Sequence, residues 1–154
     1  VGGFWDRRTG TRHPVPGLTP VAAADLREAL LALGGPAGVF LVREGTAKER
    51  ADLVAECRVP EMRLTLKTSM RLVPAKHEVR TLEERWEPAL EHSGEQYGRG
   101  PGKAVYRQWE HRRGADGRRS KVETFRFDTG QMRNPLQNTV LKAGWTWRGV
   151  LFRL

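Results

Sequence analysis

Alternation of apolar and polar positions is clearest between residues 51 and 72. Ala51, Leu53, Ala55, Cys57 and Val59 fall on one side of an extended chain, and Asp52, Val54, Glu56 and Arg58 on the other. Pro60-Glu61 marks a tight turn. Met62, Leu64, Leu66, Met70 and Leu72 then alternate with Arg63, Thr65, Lys67, Ser69 and Arg71. Successive strand side chains point to opposite faces, so the pattern predicts antiparallel strands with one buried face and one wet, charged face. Residues 19–33 have helical spacing instead: Ala22, Leu26, Ala29, Leu30 and Leu33 make one apolar stripe. Thr19 suits the cap, Pro20 the first helical position, and Gly34-Gly35 the stop. Residues 39–44, VFLVRE, are apolar on both faces and predict a mostly buried strand.

Further along, Leu82, Trp86 and Leu90 share a helical face, and Thr81 with Glu84 fits a capping box, so a short helix is expected over 81–92. Pro88 should kink or end it. Residues 93–102 read as a Gly-rich loop. Residues 103–128, KAVYRQWEHRRGADGRRSKVETFRFD, read as two strands around a Gly-Ala-Asp-Gly turn. A loop is expected over 129–138 and strands over 139–143 and 145–154. Residues 1–18, rich in Gly, Pro and Arg, lack periodicity and predict an extended N-terminal arm. The expected fold is α+β: an antiparallel sheet with two helices packed on one side and a C-terminal basic β-hairpin. Residues 19–154 would be a single domain, with room for a sub-lobe boundary at 94–102.

The 154 residues suffice for one hydrophobic core. The net charge of +9 changes the picture more than the length does. Residues 1–98 hold 14 Lys+Arg and 14 Asp+Glu, whereas residues 99–154 hold 13 and 4, so the whole excess lies in the C-terminal third. Such an excess speaks about partners rather than fold. In the hairpin, Arg107, Arg112, Arg113, Arg118, Arg119, Lys121 and Arg126 are interleaved with Tyr106, Trp109, Phe125 and Phe127. Cations neutralise phosphates and exposed aromatics stack on bases, so these seven residues are the candidate polyanion-binding set. In strict alternation Tyr106 and Trp109 fall on opposite faces, which puts at least one in the core. Phe4, Trp5, Trp145 and Trp147 are candidate partner anchors, with local core packing as the alternative.

Catalytic chemistry finds little support. His13, His77, His92 and His111 are scattered and lack metal-ligand spacing. Cys57, the single cysteine, lies on the presumed core face and can form no intrachain disulfide. Asp52 and Glu56 with Arg58 on one strand face would be the acids of a metal-dependent nuclease, and a solvated strand face is the plainer reading. The glycines of 94–102 lack a Walker pattern. No catalytic residue, metal ligand or cofactor is implied. No run reaches the about 18 apolar residues of a membrane helix, and no secretory signal is visible. The start at Val1 leaves room for a removed leader. Isoleucine is absent and Arg (21) outnumbers Lys (6), the bias of a GC-rich coding sequence.

Two local motifs carry resemblances. Residues 38–45, GVFLVREG, resemble the second-strand signature of Src-homology-2 domains, with helices before and after in the same order. That resemblance implies phosphopeptide recognition with Arg43 as the phosphate-binding arginine. Residues 128–134, DTGQMRN (Asp128, Thr129, Gly130, Gln131, Met132, Arg133, Asn134), resemble a motif of tail-completion and neck morphogenesis proteins of tailed phages. That resemblance implies a non-enzymatic α+β virion component, with strands after the motif. The leading expectation is a structural or assembly component of a virion or ribonucleoprotein. It would be intracellular or in the virion, and would dock its basic hairpin onto nucleic acid or an acidic partner.

Overall fold

A computed structural model of the chain describes residues 3–34, 39–89, 94–102 and 104–154. Gly35, Gly38, His92 and Lys103 therefore lie outside the described residues, as does the side chain of Phe125. The fold is α+β, with three helices and mostly antiparallel strands. In chain order the elements are α1 (Phe4–Thr9), α2 (Ala23–Leu31), β1 (Leu41–Glu44), β2 (Leu53–Val59), β3 (Leu64–Val73), β4 (Glu78–Pro88), β5 (Glu95–Arg99), β6 (Val105–Arg113), β7 (Arg119–Asp128), α3 (Gly130–Lys142) and β8 (Thr146–Val150). Strands β1 to β5 form one sheet in sequence order, and β8 joins it beside β4; β6 and β7 form a separate two-stranded ribbon.

The alternation over 51–72 is realised as β2 and β3. Leu53, Ala55, Cys57 and Val59 pair with Met70, Thr68, Leu66 and Leu64 on the buried face. Lys67 and Arg71 lie on the other face with Glu56 and Arg58. Two single 3-10 turns, Pro60–Met62 and Pro74–Lys76, reverse the chain, and each closes on a residue with positive φ, Arg63 and His77. The core joins these strands to Leu26 and Leu30 of α2, to Met132, Leu136 and Val140 of α3, and to Trp145 and Trp147.

Several expected elements come out differently. Residues 4–9 are helical rather than extended, and Arg12 pairs with Trp147 by hydrogen bonds in both directions, each 2.9 Å. The N-terminal segment thus covers the free edge of β8, where unpaired amides would otherwise invite association. Helix α2 starts four residues later than Thr19, at Ala23, with no side-chain cap. Strand β1 is an edge strand, more exposed than its sequence suggests: Leu41 is 57% exposed and only Phe40 just before it is buried.

The larger differences lie at 81–102 and 129–142. No helix forms over the described part of 81–92. Leu82 and Trp86 are four apart, a spacing that satisfies period two as well as helical periodicity, and β3 offers a paired edge to residues 78–86. Tertiary pairing overrides the local helical preference, and Pro88 falls at the strand end, opposite Glu95 of β5. The expected loop at 94–102 contains β5, which lies along β4 in the same sheet, so no lobe boundary falls within β5. Strand β4 serves two neighbours on one edge: residues 78–82 pair in parallel with β8, and residues 84–88 antiparallel with β5. The expected loop at 129–138 and strand at 139–143 are helix α3. Met132, Leu136 and Val140 recur every four residues and are buried, a period that Pro135 within the helix disguises. Asp128 accepts from the Gly130 amide (2.8 Å), and Gln131 accepts from the Asp128 amide (3.1 Å), a reciprocal start similar to a capping box.

Gly149 shows how tightly α1 docks. A Cβ there would overlap the carbonyl oxygen of Thr9, and the Gly149 amide donates to the Thr11 hydroxyl at 3.1 Å. Gly149→Ala is therefore expected to displace the 4–12 segment from β8 and cost about 1–3 kcal/mol, as overpacking does. Limited proteolysis of that segment and a urea titration would measure both.

Candidate functional site

The β6–β7 ribbon carries the main candidate residues. Its register pairs Tyr106 with Phe127, Arg107 with Arg126, His111 with Lys121 and Arg113 with Arg119. Directly opposed residues share a face, so Tyr106 and Phe127 point one way and Arg107 and Arg126 the other. Phe127 is 3% exposed and belongs to the core; Tyr106 packs against it. A bulge between Gln108 and Trp109 places the extra residue on β7, so β6 continues to alternate. Arg107, Trp109, His111 and Arg113 consequently share the outer face with Arg119, Lys121 and Arg126. Lys121 sits over the Trp109 ring, 5.0 Å from its centroid.

The ribbon is held at its root and free at its tip. Tyr106 Oη donates to Glu87 of β4 at 2.7 Å, and Thr129 Oγ1 accepts from the Ala104 amide and donates to the Gly102 carbonyl. At the tip the Gly117 amide donates to the Gly114 carbonyl (3.0 Å) and the Gly114 amide to the Arg118 carbonyl (2.8 Å). Gly117 has φ 76°, the left-handed geometry that a three-residue hairpin loop requires of its last residue. Asp116 accepts from the Arg118 amide and fixes the turn. Every residue from 109 to 121 is exposed. Among the described residues only Arg112 of the seven candidate cations has an acid at ion-pair distance, Glu110 at 3.3 Å. Elsewhere the C-terminal positive excess is partly neutralised by the first half: Arg133 meets Glu83 at 2.7 Å, and Arg148 meets Asp6 and Glu78.

Burial, and secondly the bond to Glu87, pushes the Tyr106 phenol up to about 12 from its ordinary 10.0. The folded chain holds this proton to higher pH than an unfolded one does. The resulting stabilisation is complete below pH 10 and is lost as pH rises towards 12. Tyr106→Phe is expected to flatten the fall in stability between pH 10 and 12, read as the urea midpoint at each pH.

Arg43 is engaged rather than open. It meets Glu49 through two bonds, at 2.9 and 2.8 Å, and Glu56 at 3.0 Å. Lys67 adds a third cation-acid contact, to Glu49 at 2.7 Å. Arg43 first and Lys67 second hold the Glu49 carboxyl well below the usual carboxylate range, and Glu49 raises Arg43 in turn. A phosphate at Arg43 would have to displace two carboxylates. The helix after the sheet that a Src-homology-2 order requires near Leu82 is strand β4. Of the candidate nuclease acids, Glu56 is held by Arg43, and Asp52 accepts from the Leu72 amide at 2.8 Å. Cys57 is buried, which raises its thiol pKa. His13 bonds Asp6, His77 stacks edge-on against Trp145, and His111 is exposed on the ribbon.

The four proposed anchors divide. Phe4 and Trp5 are 70% and 66% exposed, whereas Trp145 and Trp147 are each 1% exposed and belong to the core. The Trp145 indole donates to the Val21 carbonyl at 2.9 Å, which ties α3 to the chain entering α2. Two features escaped the sequence. One is a cleft of about 720 Å³ over the wet sheet face, lined by Lys48, Arg50, Lys67, Arg71 and Arg153 among others. The other is a pocket of about 310 Å³ at the root of the ribbon, lined by Arg7, Arg8, Arg12 and Arg133 with Asn134 and Gln137. Neither has a contiguous sequence signal, because strands and loops far apart in the chain line the first, and two helices and loops the second. No helix among the described residues is long and apolar enough to cross a membrane. Comparison with known proteins found no matching family model, no matching curated protein and no matching solved structure.

Proposed function

We propose that this chain is a non-enzymatic component of a larger nucleoprotein assembly that lays its β6–β7 ribbon onto nucleic acid. The observation that carries this reading is the run of exposed residues 109–121, in which Arg112, Arg113, Arg118, Arg119 and Lys121 surround a free tip with a single acid partner, Glu110. Unmatched guanidinium groups on an outward arm repel one another until a polyanion neutralises them. A two-stranded ribbon fits the width of a DNA major groove. Nine residues of strand span roughly 30 Å, close to one helical turn of duplex. Trp109, with Lys121 over its ring, shares one face with Arg113 and Arg119. A virion neck or a ribonucleoprotein particle would supply such a polyanion.

A labelled DNA duplex titrated over a salt series tests the reading. Expected is binding whose logarithm falls linearly with the logarithm of salt concentration, with a slope of about −0.9 per neutralised phosphate. Binding that ignores salt, or no binding at about 50 mM salt, overturns it. Stronger binding to polyglutamate than to duplex would transfer the ribbon to an acidic protein partner instead.

A further inference from the structure

The pocket at the root of the ribbon has chemistry of its own, in residues the ribbon does not contain. Arg7 and Arg8 come from the last turn of α1, Arg12 from the segment paired to β8, and Arg133, Asn134 and Gln137 from α3; Gly10, Pro101 and Gly102 complete the wall. No carboxylate is among its lining residues. Arg133 is held in place by Glu83 at 2.7 Å and by the Gly102 carbonyl at 2.7 Å. Arg7, Arg8 and Arg12 form no ion pair among the described residues; Arg8 lies over the Trp5 ring at 5.9 Å. Three unmatched guanidinium groups around one concavity are a standing repulsion. The backbone bonds of Arg12 to Trp147 and the close fit of Thr9 against Gly149 fix the elements that impose it.

We infer that this pocket binds a phosphate group, as a pyrophosphate or a phosphate monoester, through Arg7, Arg8 and Arg12, with Asn134 and Gln137 as neutral donors. The guanidinium fork meets two phosphate oxygens at once, which a planar donor set does better than a point charge. A volume of about 310 Å³ is at the small end for ligand pockets and suits a compact anion rather than a large apolar molecule. The polar wall, without a single apolar side chain apart from Pro101, points the same way. The inference stands whether or not the ribbon binds nucleic acid. The phosphate can belong to a small free compound or to the end of a nucleic acid strand, and the two sources are separable.

Inorganic pyrophosphate titrated into the intact protein, followed by calorimetry and by the thermal unfolding midpoint, is the first arm. Expected is saturable binding that raises the midpoint, and that weakens about tenfold or more in Arg7→Ser/Arg8→Ser/Arg12→Ser. Gln137→Glu, which leaves all the arginines in place and adds a carboxylate to the wall, should weaken it as well. The ribbon variant Arg112→Ser/Arg113→Ser/Arg118→Ser/Arg119→Ser should bind pyrophosphate like the parent. The second arm compares one oligonucleotide with a 5′-phosphate and with a 5′-hydroxyl. A preference for the phosphorylated end that disappears with Gln137→Glu identifies a strand terminus as the source. Equal binding of the two, with pyrophosphate binding retained, identifies a free phosphate compound. Absence of saturable pyrophosphate binding, or binding unchanged in both pocket variants, overturns the inference.

Discussion

Replacing Arg112, Arg113, Arg118 and Arg119 with Ser is expected to lower duplex affinity between about 500-fold and 4,000-fold at roughly 0.1 M salt. Each phosphate contact releases nearly one counterion, so at that salt each is worth a little under a factor of ten. Three or four lost contacts give the range quoted, and the salt slope should shrink by about 0.9 for each. Stability should hardly change, because all four side chains are exposed and only Arg112 has an ion-pair partner. The effect would therefore be one of binding and not of folding, which a circular dichroism melt of the same variant would verify. Arg43→Ser supplies the contrast. That arginine is already matched by Glu49 and Glu56, so duplex binding should be untouched. A fourfold variant that binds like the parent, or an Arg43→Ser variant that loses as much, would remove the ribbon from the interface.

Trp147→Ala is expected to cost about 3–5 kcal/mol, against less than about 0.5 kcal/mol for Trp5→Ala. Trp147 is 1% exposed, stands opposite Val79 in the β8–β4 register, and its backbone pairs with Arg12. Its removal would leave a cavity where α1, α3 and the sheet converge. A domain of ordinary stability, about 5–15 kcal/mol, would lose from about a fifth to all of it. Trp5 is 66% exposed, and among the described residues its ring meets only Phe4, edge-on, and Arg8. Chemical denaturation of the two variants decides. A near-equal cost would mean that Trp147 is not the buried residue described, and would restore it as a partner anchor.

The contrast between these tryptophans shows where sequence reading stops. Trp5 and Trp147 each have an arginine within two or three residues and an aromatic neighbour, and composition cannot tell an anchor from a core residue. The difference arises because β8 enters the sheet in parallel beside β4, a pairing between residues some 70 positions apart that no local window contains. The same holds for 81–92. Spacing of four is shared by helix and strand, and only the free edge of β3 selects the strand. At 128–140 the sequence itself carries a helix signal: Asp128 and Gln131 have the spacing of a helix start, and Met132, Leu136 and Val140 the period of a helix. Pro135 removes one amide bond from the helix, and burying three side chains exceeds that cost.

By itself the sequence determined the strand faces of 51–72, the core side of Cys57, the α+β class and the pairing of 105–113 with 119–128. All of these are set by neighbours in the chain: a period of two, and a short turn whose glycine accepts positive φ. Tertiary structure alone decided that Trp145 and Trp147 are interior, that Arg43 meets Glu56 across β1 and β2, that β4 is a strand, and that Arg7, Arg8, Arg12 and Arg133 meet in one pocket. Those outcomes depend on which distant segments the buried face recruits, and charges separated by a hundred residues or more become neighbours only once it has closed.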